Sequence, residues 1–354
     1  MNIIVVGFGA IGKRLSQRLK RKGHEVIVLI TSGLYRFEKA DSLKKLKNCS
    51  FRKGADLLFK GEFTADVLFN CMKTIEGGED SAYVMKKAFE YSKPVISCEK
   101  AGFAYNSDLF AEYIGLFGLS GTVGCLSRIP AFLWQVKNCL PTRNFQVQDY
   151  FILNAVLNYL FAQLSQSKTL DDSLKEVKRY HYLESGTHNI VEVFNREAFD
   201  AFLKTIILFN YCYGLQPSVF PNRKHFVEFN EESVRKHLEN GSSERFIVSI
   251  VSCSIDNFNS KAEISGGFNF VVKGLNDIHI LGCFRNINEL GHKGEIYRDL
   301  LLYPPNESVA ISKVDHTTII THGSGSGVNV AVEAMIQDAY DLDIDINPLN
   351  LEVQ

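Results

Sequence analysis

The first thirty residues alternate between apolar runs and a polar stretch with helical spacing. Residues 3–6 (Ile-Ile-Val-Val) form an uninterrupted apolar run, as in a strand that is buried on both faces. A glycine-rich turn at residues 7–12 follows, residues 13–22 carry leucines four positions apart, and Glu25–Ile30 is a second apolar run. This order predicts a βαβ unit in which the two strands are parallel.

The same alternation continues to about residue 100. Apolar runs at residues 66–70 and 94–97 predict two further strands, and residues 80–91 predict a helix between them. Strands and helices that alternate in this way are typical of a doubly wound parallel sheet. We therefore predict an α/β fold whose N-terminal part is of the Rossmann type.

Beyond about residue 130 the pattern loses this regularity. Helical stretches, apolar runs of strand length and a closing strand, turn and helix follow one another at residues 151–164, 170–180, 198–209, 246–251, 268–272, 278–281, 317–321, 322–327 and 330–340. Helices and strands without βαβ order predict a second domain of the α+β class.

The length of the chain favours two domains over one. A single hydrophobic core stops growing at about 250–300 residues, and this chain has 354. We expect a dinucleotide-binding domain over residues 1–130 and a substrate, catalytic and dimerisation domain over residues 131–310. Residues 311–354 are expected to return to the first domain.

Charge and cysteine usage exclude several classes of protein. Lys and Arg (39) balance Asp and Glu (40), so we expect no nucleic-acid partner. We expect no membrane partner either, because no apolar run approaches ~18 residues and the N-terminus lacks a signal-peptide pattern. The eight cysteines are scattered and no spacing suits zinc, which predicts a cytoplasmic protein without a metal site.

The turn after the first strand has the spacing Gly-x-Gly-x-x-Gly. Gly7 permits a tight turn, Gly9 lets the backbone approach a pyrophosphate, and Gly12 lets the helix pack closely on the strand. The first N–H groups of the helix would then point at the phosphates. An ordinary glycine turn is the alternative. The predicted dinucleotide contacts are Gly7, Phe8, Gly9, Ala10, Ile11 and Gly12.

The end of the second strand bears on the choice of cofactor. NAD-binding proteins usually place Asp or Glu there for the ribose 2′-hydroxyl, but this chain has Thr31 and Ser32, with Arg36 just beyond. Small hydroxyls with a nearby arginine suit a 2′-phosphate, so NADP (NADPH) is favoured over NAD. The alternative, in which Arg36 is a solvated loop residue, stays open.

Four further residues are candidates for cofactor contact and for chemistry. Thr74 and Lys100 follow predicted parallel strands, whose carboxyl ends face the crevice where cofactor and substrate meet. Asp200 and Lys204 are four residues apart on a mostly apolar helix, so we expect them to be buried, and buried charges need a reason. The alternatives are a surface lysine at position 100 and an exposed ion pair on the helix.

Taken together and in order, these motifs resemble the homoserine dehydrogenase family over nearly the whole chain. The resemblance is carried by the nucleotide turn, the stretch that ends in Thr-Ala-Asn-Lys, the Ile-Leu-Asn-Gly-Thr-x-Asn segment, the Gly-Tyr-Ala-Glu segment, the Asp-x-x-x-Lys pair and the Gly-Pro-Gly-Ala-Gly block with its helix. The similar positions here are residues 7–12, 77–79 with 93–100, 152–159, 182–184, 200–204 and 323–338.

The resemblance implies a homodimeric enzyme that reversibly reduces aspartate 4-semialdehyde to L-homoserine with NADPH or NADH. It implies that Lys204 gives a proton to the nascent alkoxide, while Lys100 and Asp200 hold the charge and geometry of the site. Electrostatic stabilisation of the developing oxyanion by two lysines is the physically necessary part.

The resemblance also implies the remaining contacts. Glu184 would bind the substrate ammonium, with Asn154 and Tyr182 beside it in the substrate pocket, and Gly325 would join the cofactor contacts. The similarity ends soon after the closing helix, so we expect no regulatory ACT domain of the kind that some members carry.

Several substrate-facing positions depart from the family. The Ala-Asn of the lysine signature is Cys98-Glu99 here, and the carboxylate that many members place before the Asp-x-x-x-Lys pair is Asn195, unless Glu192 replaces it. Two alternatives therefore stay open. The same fold and cofactor could serve another amino-acid semialdehyde or amino alcohol, or the chain could be a catalytically silent nucleotide-binding sensor.

Overall fold

The structure is a computed structural model of the chain. It describes residues 1–38, 42–60, 63, 65–138, 148–166, 168–179, 189–213, 218–240, 244–252, 264–273, 277–286, 300, 303–314, 317–344 and 346. Contacts divide the chain into two compact units. Unit 1 comprises Met1–Thr122 and Val328–Gln354, and unit 2 comprises Val123–Gly327.

The regular elements of the described ranges form two sheets and the helices that cover them. The strands are β1 (Asn2–Val6), β2 (Glu25–Ile30), β3 (Gly33–Phe37), β4 (Leu43–Lys47), β5 (Val67–Asn70), β6 (Val95–Ser97), β7 (Phe117–Gly118), β8 (Gln148–Ile152), β9 (Phe226–Val227), β10 (Glu244–Ser252), β11 (Gly267–Val272), β12 (Ile278–Asn286), β13 (Glu307–Val314) and β14 (Thr317–Ser324). The helices are α1 (Ala10–Arg21), α2 (Phe51–Phe59), α3 (Glu79–Glu90), α4 (Ala101–Tyr105), α5 (Ser107–Phe110), α6 (Ile129–Asn138), α7 (Ala155–Ser165), α8 (Leu170–Arg179), α9 (Ile190–Ile207), α10 (Glu231–Glu239) and α11 (Val328–Asp341). No helix in these ranges is long and apolar enough to cross a bilayer.

The sheet of unit 1 confirms the predicted Rossmann-type core. Its strand order is β4-β3-β2-β1-β5-β6-β7, and β1 pairs in parallel with both β2 and β5. The parallel pairing continues through β6 to β7. Strands β1, β5 and β6 are almost wholly buried, because parallel strands are covered by helices on both faces.

One edge of this sheet is antiparallel. β2 turns through two residues directly into β3, with Ile30 opposite Gly33, and β4 extends the edge. Only glycine suits the first position of β3, because its φ is +134° and an added Cβ would lie 2.2 Å from the carbonyl oxygen of Lys47. A tight hairpin therefore stands where a helical crossover would continue the parallel sheet.

The last helix, α11, belongs to unit 1 and packs beside α1. Arg18 of α1 forms an ion pair with Glu333, and the buried Met335 joins the core beneath the sheet. Asp338 is also buried, and it accepts the backbone N–H groups of residues 120 and 121 at 3.1 and 3.0 Å. These bonds join the C-terminal helix to the segment after β7.

Unit 2 is built on an antiparallel sheet in the order β14-β13-β8-β10-β12-β11-β9. Helices α7 and α9 join it through aromatic side chains. The ring centroid of Phe284 on β12 lies 4.5 Å from that of Phe161 on α7 and 5.3 Å from that of Phe194 on α9. This mixture of helices with an antiparallel sheet confirms the predicted α+β class of the second domain.

Three boundaries differ from the predicted ones. The first four residues of the predicted helix 151–164 are the end of β8 and a cap, because an apolar run of this length suits a buried strand as well as a helix. The chain enters unit 2 at Val123 and returns to unit 1 at Val328, where residues 131 and 311 were expected. The return is late because β13 and β14 continue the sheet of unit 2 next to β8.

Candidate functional site

The glycine turn of unit 1 joins β1 to α1. Gly7 has a φ of +87°, and a Cβ there would lie 2.6 Å from the carbonyl oxygen of Cys71. A Cβ on Gly12 would lie 2.2 Å from the carbonyl oxygen of Gly7, whereas one on Gly9 would meet nothing within 4 Å. Packing within unit 1 therefore requires Gly7 and Gly12. The surface above Gly9 is open, as the close approach of a ligand requires.

The N-terminus of α1 is suited to an anion. Gly9 caps this helix without a side-chain hydrogen bond, and the first turn has no acidic residue, so its N–H groups remain for a ligand. Phe8 and Ile11 pack against the core, and Ala10 is exposed. The six residues predicted to contact the dinucleotide thus form one continuous turn, and that turn fits a pyrophosphate.

The structure separates the three residues predicted at the 2′ position of the ribose. Thr31 and Ser32 form the exposed turn at the carboxyl end of β2, with Ser32 Oγ 2.9 Å from Tyr35 Oη. Arg36 lies on β3 opposite Ile27, about 10 Å back along the sheet.

The side chain of Arg36 also extends toward the amino end of β2. Its Nε is 3.8 Å from Glu25 Oε2, at the amino end of β2, and its side chain is half exposed. The hairpin therefore directs Arg36 away from the edge where a nucleotide would lie. The support that Arg36 gave to NADP over NAD is lost.

Thr74 and Lys100 follow β5 and β6, which are adjacent parallel strands and so end at the same edge of the sheet. Both side chains are half-buried. Lys100 is the N-terminal cap residue of α4, and its carbonyl oxygen accepts the N–H of Ala104 at 2.9 Å. The backbone at Lys100 is thus fixed by the start of a helix.

Glu99, which stands where the family has Asn, is a buried carboxylate beside this lysine. Its oxygens accept the N–H groups of Ala101 at 2.6 Å and Gly102 at 2.9 Å, and the hydroxyl of Ser81 at 2.5 Å. Burial raises the pKa of Glu99, and these hydrogen bonds and the Lys100 charge oppose that shift. The carboxylate holds the first turn of α4 and, through it, the position of Lys100.

Unit 2 brings together three of the predicted residues. Lys204 is only 8% exposed, and its Nζ lies 2.8 Å from Asp200 Oδ2 and 2.8 Å from the carbonyl oxygen of Leu153. Asn154 Nδ2 is 3.5 Å from the same Asp200 oxygen. Asn154 is held in turn as the cap of α7, since its Oδ1 accepts the N–H of Leu157. A buried ammonium is therefore fixed between a carboxylate and a carbonyl oxygen.

A fourth member of this cluster, Glu197, is a residue that the sequence reasoning missed. Its Oε2 accepts Asn154 Nδ2 at 2.8 Å, and its Oε1 lies 3.1 Å from Arg196 Nη2. Burial and the nearby charge of Asp200 raise the pKa of Glu197. Its separation of three residues from Asp200 and seven from Lys204 places all three on one face of α9, a periodic signal that could have found it.

Neither of the two residues considered for the missing family carboxylate joins this cluster. Asn195 binds the backbone of Phe229 through both side-chain atoms, at 2.9 and 2.7 Å. Glu192 is exposed in the first turn of α9. Asn195 therefore fixes the segment before α10.

The remaining predicted contacts have separate locations. Gly325 follows β14 in unit 2, where its N–H donates to the carbonyl oxygen of Asn306 and an added Cβ would lie 2.2 Å from Ser308 Oγ. Tyr182 and Glu184 lie outside the described residues. Among the residues that are described, no group of three or more His, Cys, Asp or Glu side chains could hold a metal ion.

The described part of the chain thus combines a Rossmann-type sheet with a glycine turn in unit 1 and an antiparallel sheet with a buried lysine in unit 2. The particular fold is that of homoserine dehydrogenases. No family model and no curated protein matches the sequence.

Several solved structures share this fold. The homoserine dehydrogenase of Thermoplasma acidophilum superposes with a TM-score of 0.64 at 15% identity, over 97% of this chain and 99% of that one. A hyperthermophilic archaeal homoserine dehydrogenase in complex with NADPH gives 0.62 at 17% identity, over 99% of each chain. The S. aureus enzyme gives 0.56 at 13% identity, over 100% of this chain and 80% of that one.

Proposed function

We propose that this protein is an NAD(P)-dependent oxidoreductase of the homoserine dehydrogenase type, which interconverts aspartate 4-semialdehyde and L-homoserine. The observation that carries the proposal is the buried ammonium of Lys204, with Asp200 Oδ2 and the Leu153 carbonyl oxygen each at 2.8 Å. Such an ammonium on this fold is suited to exchange a proton with the oxygen of a substrate.

Unit 1 supplies the dinucleotide site of the proposal. The turn at residues 7–12 and the first N–H groups of α1 would hold the pyrophosphate, with Thr74 and Lys100 at the same edge of the sheet. When bound, the nicotinamide supplies or accepts the hydride. The NADPH complex of a structural neighbour supports this cofactor, and we propose NADPH over NADH on that ground alone.

Unit 2 supplies the proton chemistry. An ammonium has three N–H bonds, and among the described residues Lys204 directs two of them to Asp200 and Leu153. The third is left for a substrate oxygen. During reduction Lys204 gives its proton to the developing alkoxide, and during oxidation the neutral amine takes the proton back. Asp200 keeps the nitrogen in place.

The carboxylates of the cluster also set the environment of this proton. Glu197 and Asp200 are linked through Asn154 Nδ2, at 2.8 and 3.5 Å. Asp200 contacts the Lys204 ammonium directly, whereas Glu197 contacts Asn154 and Arg196. We propose Glu184 and Tyr182 as the ligands of the amino-acid part of the substrate, which rests on the family resemblance.

Turnover is tested with the purified full chain, by following reduction of NADP⁺ and NAD⁺ with homoserine and a panel of related amino alcohols. We expect reduction with homoserine. The Lys204→Met variant should lose about 10²–10⁴-fold in kcat with unchanged cofactor affinity. The matched control is Lys175→Met, because this lysine of unit 2 is 76% exposed, and it should keep full activity.

The outcomes separate the alternatives. Retained turnover by Lys204→Met would refute its role as proton donor. Turnover with another amino alcohol but not with homoserine would keep the oxidoreductase and change its substrate. Nucleotide binding without turnover on any substrate would favour the sensor. The homodimer and the cytoplasmic location stay predictions, and light scattering of the purified chain measures the first.

A further inference from the structure

Cys71 and Cys98 occupy adjacent positions on neighbouring strands of unit 1. Cys71 follows β5 and Cys98 follows β6, and these parallel strands pair with Asn70 opposite Ser97. The pairing extends one step further, since the N–H of Cys98 donates to the carbonyl oxygen of Asn70 at 3.0 Å. The next pair in this register is Cys71 with Cys98.

Both thiols also point to the same face of the sheet. Side chains alternate along a strand, so Cys71 shares a face with Phe69 and Cys98 with Ile96. All four belong to one core cluster, the one covered by α1 and α11. The Cys98 thiol donates to the carbonyl oxygen of Asn70, with 3.6 Å between sulfur and oxygen. Adjacent strands lie about 4.8 Å apart, which falls within the ~4.4–6.8 Å between Cα atoms that a disulfide spans.

This dithiol lies against the glycine turn. The carbonyl oxygen of Cys71 is the atom that a Cβ on Gly7 would meet at 2.6 Å, and the Cβ of Cys71 would lie 3.3 Å from one on Gly12. β5 separates β1 from β6 in the sheet. A force that draws Cys71 toward Cys98 therefore draws it away from the turn that it supports.

We propose that Cys71 and Cys98 form a redox-active dithiol, which a peroxide oxidises to an intrachain disulfide and which thereby loosens the glycine turn. Both thiols are free in the structure, with exposures of 7% and 9%. The consequence for cofactor affinity rests on the proposed function. Formation of the disulfide and the change at the turn do not.

The oxidation begins at Cys98. The neighbouring Cys71 thiol and the charge of Lys100 lower the pKa of Cys98. The neighbouring Cys98 thiol and burial raise the pKa of Cys71. The Cys98 thiolate attacks one peroxide oxygen and the O–O bond breaks, which leaves a sulfenic acid on Cys98 and a hydroxide ion. The hydroxide takes up the proton that the Cys98 thiol released when it ionised, and the first water forms. The Cys71 sulfur then displaces the hydroxyl from Cys98. An S–S bond forms, and the second water carries away the Cys71 proton.

The test treats the reduced full chain with hydrogen peroxide, blocks remaining thiols and maps the peptides. We expect a Cys71–Cys98 link, reversed by dithiothreitol, and faster hydrogen exchange at residues 7–12. If the reduced chain binds NADPH, its Kd should rise at least fivefold on oxidation. Cys71→Ser and Cys98→Ser should each abolish these responses. Cys49→Ser should keep them, because this half-buried thiol of unit 1 lies outside the pair.

The results decide the proposal independently of the proposed function. Oxidation of other thiols without a Cys71–Cys98 link would overturn it, as would a link that leaves hydrogen exchange at residues 7–12 unchanged. A reduced chain that binds no nucleotide would count against the proposed function alone. The thermal unfolding midpoint shows whether serine at position 98 destabilises unit 1. If it does, Cys98→Ala replaces it as the variant without this thiol.

Discussion

Alanine substitutions at the glycine turn should separate folding from nucleotide binding. Gly9 has a φ of −73° and a ψ of −167°, and an added Cβ would meet nothing within 4 Å. Alanine is a poorer helix cap than glycine by a few tenths of a kcal/mol or more, but it also reduces the entropy of the unfolded chain by about 0.4–1 kcal/mol. These terms offset each other, so Gly9→Ala should leave the unfolding midpoint nearly unchanged.

The same methyl group should interfere with a pyrophosphate, because the second glycine of such a turn permits close approach of the ligand. We expect the Kd for NADPH to rise at least tenfold, which corresponds to about 1.4 kcal/mol. Isothermal titration measures the Kd, and differential scanning fluorimetry measures the unfolding midpoint of the same preparation.

Gly12→Ala and Gly23→Ala provide the contrast. The Cβ on residue 12 would lie 2.2 Å from the carbonyl oxygen of Gly7, and backbone cannot move aside cheaply. We expect Gly12→Ala to lower the free energy of unfolding by about 1–3 kcal/mol and the unfolding midpoint by about 2–12 °C. Gly23, at the other end of α1, has a φ of +83° and open space around it. Gly23→Ala should lower the free energy of unfolding by about 1–2 kcal/mol and leave the affinity for NADPH unchanged.

One result would be decisive. Gly9→Ala that folds normally and binds NADPH as tightly as the original chain would show that the turn is not the pyrophosphate site. Weakened binding by Gly23→Ala to the same extent would show that general loosening of unit 1, and not contact with the ligand, controls affinity.

Three further substitutions test other parts of the structure. Arg36→Ala should change the ratio of NADPH to NADH affinity less than twofold, because the guanidinium lies toward Glu25; a large drop in NADPH affinity alone would contradict the placement of β3. Glu99→Gln should lower the free energy of unfolding by about 1–3 kcal/mol, because its amide N–H would face the N–H donors of Ala101 and Gly102. Denaturant titration measures this change, and an unchanged value would mean that these hydrogen bonds contribute little. Burial raises the pKa of Asp149 on β8 from 3.8 to about 6. Between these two values the folded chain holds a proton that the unfolded chain has lost. The stabilisation that this proton gives is complete below about pH 4 and is lost as the pH rises through 6. Its full size is about 3 kcal/mol for 2.2 pH units, so Asp149→Asn should flatten the decline of unfolding free energy between pH 4.5 and 7.5, and an unaltered slope would exclude Asp149 as its source.

Local spacing predicted those parts of the candidate site that depend on neighbours within one or two helical turns. The Gly-x-Gly-x-x-Gly turn and the flanking apolar runs were enough to predict β1, α1 and β2, because each depends on a short repeat in the sequence. The four-residue separation of Asp200 and Lys204 likewise places both on one face of α9, where they are in contact. The strand β6, which follows α3, and the closing helix α11 were predictable on the same grounds.

Contacts between distant segments were not predictable, because they depend on strand order and register. The sequence alone determined the glycine turn at residues 7–12, the pairing of Asp200 with Lys204 on one helix face, and the position of Lys100 directly after a strand. Only the tertiary structure decided that a hairpin directs Arg36 away from the ribose position, that Glu197 joins Asn154, and that Cys71 lies beside Cys98. Periodicity specifies which side of an element a residue occupies, whereas the packing of whole elements determines what that side meets.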